Sequence, residues 1–259
     1  MKSRFFSLPG RLLLLVILVS LLVCTTAAAE FERTFIFDSK EMKVGNMIGE
    51  VTVVQAAGDE FRITVRVQGK DASQDLLEFV TSEGSKGELV VAFPIDDHRK
   101  YVYPPLGPDR KSTMSFHNEK AQEGSWLKKI FSGMSGKKIT VRGDGNGLEV
   151  WADLTVEVPA GRVLTVKHGV GTIGAADLRA DLNLDINSGS ITSQNIEGDY
   201  LADTGSGSVQ ASRIRGNVLV DTGSGEVVLA QVEGQKVLVD TGSGAVKVDE
   251  IICTELNVD

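Results

Sequence analysis

Two cysteines in 259 residues are too few for a disulfide framework. Cys24 falls in an apolar N-terminal run, which leaves Cys253 unpaired, and its setting after Ile251 and Ile252 reads as burial. Histidine is as scarce. His98, His117 and His168 have no metal-ligand spacing, so neither a histidine-held metal nor a cofactor is expected. Positive charge is short too: 27 Lys and Arg stand against 35 Asp and Glu, a formal charge of −8. An acidic chain is a poor partner for nucleic acid, whose binding depends on neutralising phosphates. It will not adhere to an anionic membrane by charge alone.

The N-terminus holds most of its cations ahead of one apolar run. Lys2, Arg4 and Arg11 precede Leu12 to Cys24, and TTAAAE follows. This order of charged, apolar and small residues is that of a secretory signal covering 1–29, cut after Ala29. The run is short of the roughly 18–20 residues a membrane span needs. An N-terminal membrane anchor, lengthened by Thr25 to Ala29, is the alternative. Removing 1–29 takes away three positive charges and no negative one, moving the formal charge from −8 to −11. The expected destination is the periplasm, the cell surface or the extracellular space.

What the chain has in quantity is repetition. The stretch ADTGSGSV (202–209) returns as VDTGSGEV (220–227) and VDTGSGAV (239–246). Aligned on this turn, Lys167, Asp185, Asp203, Asp221, Asp240 and Asp259 form one column, with steps of 18, 18, 18, 19 and 19 residues. Two residues on stand Gly169, Asn187, Gly205, Gly223 and Gly242; four residues on stand Gly171, Gly189, Gly207, Gly225 and Gly244. Asn enters left-handed backbone readily, so the first of these columns predicts turns with positive φ.

Apolar residues alternate with period two on both sides of the turn, as in Val218 and Val220 before it and Val227 and Leu229 after it. That pattern means short strands with one buried face. A unit this small cannot bury its own apolar face, but stacked units can. The predicted fold is therefore all-β, a single-stacked β-solenoid of 18–19-residue coils occupying 30–259. A meander would not place every copy of the turn on one side.

The N-terminal half carries the pattern more faintly. Met42 and Val44 precede a turn at Gly49, Val51 and Val53 follow it, and 61–67 and 88–93 read as strands. From about 96 to 138 the chain is polar, punctuated by Pro104, Pro105 and Pro108, and reads as an insertion without regular structure, disordered or functional.

The glycine-punctuated strands, the passage VEVPAGRVLTVKHGVGTI (156–173) and the DTGSG coils resemble the bacterial putative-adhesin family. The resemblance spans roughly 40–259 outside the polar insertion. It implies an exported or membrane-associated β-strand-repeat domain, without catalytic residues to carry over.

Read once, Asp-Thr-Gly-Ser suggests an aspartic protease. Such a site needs two facing loops whose carboxylates share a proton, whereas 18-residue coils place the carboxylates in one row. Asp221 is accordingly expected to be a turn residue, accepting backbone N–H groups from Thr222, Gly223 and Ser224. Stacked neighbours in the row repel by about 0.8 kcal/mol at ~5 Å in water. Weak calcium binding by Asp203, Asp221 and Asp240 would relieve that, although no calcium-type nonapeptide repeat is present. Thr204, Thr222 and Thr241 sit beside the row and are expected in turns rather than on a flat, water-ordering face. Glycan cleavage is not favoured, because Arg213, Arg215 and Lys236 are scattered.

Within the insertion, Trp126, Ile130 and Phe131 with Lys128, Lys129, Lys137 and Lys138 form a short basic amphipathic pattern suited to docking. Gly133 and Gly136 limit it to about two turns, too short to be stable alone.

These readings predict a non-enzymatic exported protein. It would offer an adhesive or scaffolding surface to an envelope or cell-surface component. The structural turns are Gly205, Gly207, Gly223, Gly225, Gly242 and Gly244, and the open solenoid end invites self-association. The competing reading is an envelope regulatory or sensory domain that engages a membrane partner through 96–138.

Overall fold

The computed structural model describes residues 30–115 and 138–259. The signal at 1–29 and the docking residues Trp126, Ile130 and Phe131 lie outside the described residues.

Strands dominate, and among the described residues the one helical element is a 3-10 turn at Pro104–Leu106. The cause is visible in the burial alternation. In β14 (Val218–Thr222), Val218, Val220 and Thr222 point inward while Leu219 and Asp221 point out. Each buried Val or Leu is worth about 1.5–3 kcal/mol.

The main sheet has 15 strands, in which β10 (Val163–Arg179) and β11 (Asp181–Glu197) act as long bent rungs. The N-terminal half of β11 pairs with β12 (Tyr200–Ser206), which continues through β14 to β16 (Lys236–Thr241) and β18 (Glu255–Val258). Its C-terminal half pairs with β13 (Val209–Arg215), which continues through β15 (Val227–Glu233) to β17 (Val246–Ile252). All these pairs are parallel. Partners such as Leu182 and Tyr200 lie 18 residues apart, while Val218 and Val237 lie 19 apart. Two walls thus enclose a narrow core, a solenoid-like arrangement that stacks like residue on like residue.

The first part of the chain extends the same walls by different pairing. β2 (Glu41–Gln55) stacks in parallel on β10, with Met42 against Leu164 and Gly49 against Gly171. Beyond it, β9 (Trp151–Val158), β3 (Phe61–Gln68) and β1 (Phe31–Phe37) extend one wall, with antiparallel β3–β9 and β1–β3 pairs. β5 (Lys86–Ala92) and antiparallel β4 (Glu78–Ser82) extend the other. The Phe35 and Phe79 rings meet at 5.5 Å across this end, and the Arg33 guanidinium lies 5.0 Å from the Phe79 centroid. An inward charge on an edge strand discourages further pairing.

Three expectations need correction. The polar insertion is not structureless throughout. β6 (Lys100–Val102), β7 (Lys111–Ser115) and β8 (Lys138–Arg142) form a small sheet of their own, and Tyr101, Ile139 and Val141 are fully buried in it. Second, the first glycine column does not have positive φ; Gly205, Gly223 and Gly242 are small because the preceding rung crowds them. A Cβ on Gly223 would stand 2.6 Å from the Gly205 oxygen. Positive φ belongs instead to the second column, +144° at Gly207 and +151° at Gly225, although Gly244 is outside that range. A Cβ at Gly207 or Gly225 would also lie 1.9 Å from the carbonyl oxygen of the glycine one rung back. Third, Cys253 is half-buried and free rather than buried, because β17 and β18 have a strand on one side only.

A candidate docking face on the outer wall

Period-two alternation sends every second residue of β12, β14 and β16 outward. Leu201, Leu219 and Leu238 therefore stack in register, as do Asp203, Asp221 and Asp240 two residues on. Rungs of a sheet lie about 4.8 Å apart, so this wall carries an apolar stripe beside a row of carboxylates. Leu219 is 40% exposed.

The carboxylate row behaves differently from the expected turn caps. Asp203, Asp221 and Asp240 sit in strands, and none of the three makes a hydrogen bond or ion pair among the described residues. The strand geometry explains this: an outward side chain on an extended strand points away from the backbone N–H groups that follow it. Only the next carboxylate back, Asp185, has a cation, the Lys167 ammonium at 3.0 Å. Burial and then the neighbouring Asp185 and Asp221 charges hold the Asp203 carboxyl above the usual carboxylate range, while Lys167 pulls the other way.

The caps exist elsewhere. On the same wall, Asp181 Oδ1 accepts the Asp199 N–H at 2.8 Å, and Asp199 Oδ1 accepts the Asn217 N–H at 3.0 Å. Asn217 Oδ1 in turn accepts the Lys236 N–H at 3.1 Å. Each side chain reaches the same position one rung on, so the bond is invisible to a local reading of the sequence.

The threonines are not in exposed turns. Thr204 and Thr222 are fully buried and donate to the Gly189 and Gly207 carbonyls at 3.3 and 3.4 Å. His168 lies in the same inward column, in β10, between Asn46 and Ile186. Its Nδ1 lies 3.2 Å from the Asn46 carbonyl and its Nε2 2.8 Å from that of Gly49. Burial lowers its pKa, and the two carbonyls offset part of that shift.

A groove of about 590 Å³ follows the opposite wall, at a corner where Asn195, Arg213, Gln231 and Glu250 line one side. These residues and Asp177 have φ between +51° and +57°, a left-handed column that the sequence reading missed. Its residue types vary, and only Asn and Asp favour that conformation. Much of the charge along the groove is already spent. Arg215 lies 3.4 Å from Glu197 and 3.9 Å from Glu233, and Gln231 donates to Glu250 at 2.9 Å.

For calcium, among the described residues no three His, Cys, Asp or Glu are arranged to hold a metal ion. Asp203, Asp221 and Asp240 form a row rather than a cage. No described helix is long and apolar enough to cross a membrane.

Residues 128–259 match the model of the Toastrack DUF4097 family. The chain belongs to that family. The Toastrack match takes in β8 through β18 and so contains the whole candidate face. No curated protein matches the chain. Among solved structures, a putative cell adhesion protein of Clostridium sporogenes is similar at 11% identity and a TM-score of 0.38, covering 85% of this chain and 99% of that one. A putative adhesin of Parabacteroides merdae is similar at 9% identity and a TM-score of 0.24, covering 89% and 96%.

Proposed function

We propose that residues 30–259 form a single-stacked β-solenoid of 18–19-residue coils, exported behind the 1–29 signal, that acts as a non-enzymatic adhesive or scaffolding surface in the cell envelope. The observation that carries this reading is the outer face of β12, β14 and β16. An apolar stripe and a row of like charges both reduce the stability or solubility of a free protein, and here they lie side by side without a partner among the described residues. Features that break local rules without a structural return mark functional surfaces. Among the described residues this row on one wall faces no second carboxylate with which to share a proton, and the chemistry it offers is recognition.

The test is retention of 30–259 on purified envelope fractions, beside a form in which a two-residue turn replaces 116–137. Ser115 pairs with Lys138, so a short turn closes that hairpin without disturbing the small sheet. Equal retention of the two forms supports the adhesive surface. Retention lost on the deletion transfers the function to the basic segment and favours the regulatory reading. Retention of neither sinks both.

A further inference from the structure

The geometry of the face restricts what can lie on it. Its two stripes run along the stacking axis, perpendicular to the strands, and repeat at about 4.8 Å. A partner strand laid along that axis repeats on one face at about 6.6–6.8 Å, and drifts out of step by about 4 Å over three rungs. An α-helix advances 5.4 Å per turn, and over three rungs drifts by only about 1.2 Å. A helix also presents two neighbouring ridges, one apolar and one charged, when its residues repeat at i, i+3 and i+4.

Charge fixes the sign of the second ridge. Among the described residues Asp203, Asp221 and Asp240 carry no cation, whereas Asp185, the row's first carboxylate, is paired with Lys167. The protein itself therefore shows how a lysine ammonium seats on this row. The apolar ridge would meet Leu219, which is 40% exposed, with the half-buried Leu201 and Leu238 on either side.

We propose that the outer face of β12, β14 and β16 docks a short basic amphipathic helix of a partner protein. The helix lies along the stacking axis, with its apolar ridge on Leu201, Leu219 and Leu238 and its cationic ridge on Asp203, Asp221 and Asp240. One helical turn matches one rung, so two to three turns cover the site. This inference rests on the adhesive-surface reading and names the chemistry of its partner.

The experiment titrates the full chain with a designed four-turn peptide that carries a lysine stripe beside a leucine stripe. A peptide of the same composition in scrambled order is the control. The expected result is saturable binding of the striped peptide, at least ten-fold tighter than the scrambled one and weakened as ionic strength rises from about 0.05 to about 0.5 M. The triple variant D203N/D221N/D240N should lose at least ten-fold in affinity, and L201S/L219S/L238S should lose affinity without losing the salt dependence. Removing repulsion gives the Asn variant no reason to unfold, so its loss of binding is interpretable.

Equal binding of the striped and scrambled peptides, or undiminished binding by the Asn variant, overturns the proposal. If binding tightens at least ten-fold when 116–137 is replaced by a turn, the occupant is the chain's own basic segment, and the external partner is overturned. Envelope retention without peptide binding sinks this inference and leaves the adhesive surface standing. Peptide binding without retention does the reverse.

Discussion

Two columns of acidic and amide side chains share one wall of this protein and do opposite things. Asp181, Asp199 and Asn217 each accept the backbone N–H of the next rung at 2.8–3.1 Å. Four residues along the same wall, Asp203, Asp221 and Asp240 accept nothing from the described residues. The first column lies where the chain enters each strand, at Gly198 and Gly216, and a free N–H faces it. The second lies within strands whose N–H groups are already in the ladder. Residue type therefore does not assign the role; what assigns it is whether a donor stands one rung away. The capping column stabilises the stack, and the other works against it.

The strongest way to break this comparison is to destroy the corner that presents the uncapped column. Gly225→Ala combines φ of +151° with a Cβ 1.9 Å from the Gly207 oxygen. It should cost at least about 3 kcal/mol in urea unfolding. Gly58→Ala, where a Cβ meets nothing within 4 Å, should stay within about 0.5 kcal/mol of the parent. A similar loss at both positions would contradict the stacked-corner account.

Next in size is the capping column itself. Asp199 accepts both the N–H and the Nδ2 of Asn217, at 3.0 and 3.1 Å. Asp199→Ala should therefore destabilise by about 1–2 kcal/mol. Asp221→Asn should do the opposite and raise stability by up to about 1 kcal/mol at low salt, shrinking as salt is added. Destabilisation of comparable size by both variants would erase the distinction between the columns.

The pH dependence sharpens the comparison further. The His168 pKa is lowered by burial and that of Asp203 is raised, so the two oppose each other. A group whose pKa is lower in the folded state binds more protons when unfolded. The His168 contribution is therefore intact above the ordinary histidine value of about 6.5 and is lost as pH falls below it. Asp203 binds protons more readily when folded, so its unfavourable contribution at neutral pH is relieved on acidification toward the carboxylate range. Unfolding midpoints taken from pH 7.5 down to 5.5 should fall, and should fall less in His168→Gln. A parallel decline in both proteins would remove His168 as the cause.

Sequence periodicity revealed the walls because like residues stack on like. Leu164, Leu182, Tyr200, Val218 and Val237 are one inward column in the sequence and in the fold. The same periodicity located the carboxylate row but misread its role, since the motif Asp-Thr-Gly looks like a local turn cap while the real caps bridge residues 18 or 19 apart. The left-handed corner escaped notice because Arg213 and Gln231 seldom adopt φ near +55° alone; stacking imposes it. The small sheet of β6, β7 and β8 was hidden by its three-to-five-residue strands and the prolines between them. The leucine stripe lay in plain view at Leu201, Leu219 and Leu238, yet alternation alone does not show which face a second layer leaves open.

The central claim is that Asp203, Asp221 and Asp240 are kept for recognition and against stability. The measurement that tests it most directly is envelope retention of D203N/D221N/D240N beside the parent 30–259, each confirmed folded by its unfolding midpoint. The account predicts a midpoint at or above that of the parent and retention reduced at least ten-fold. Undiminished retention by a fully folded triple variant would contradict it, and would leave the row as a repeat without a recognition role.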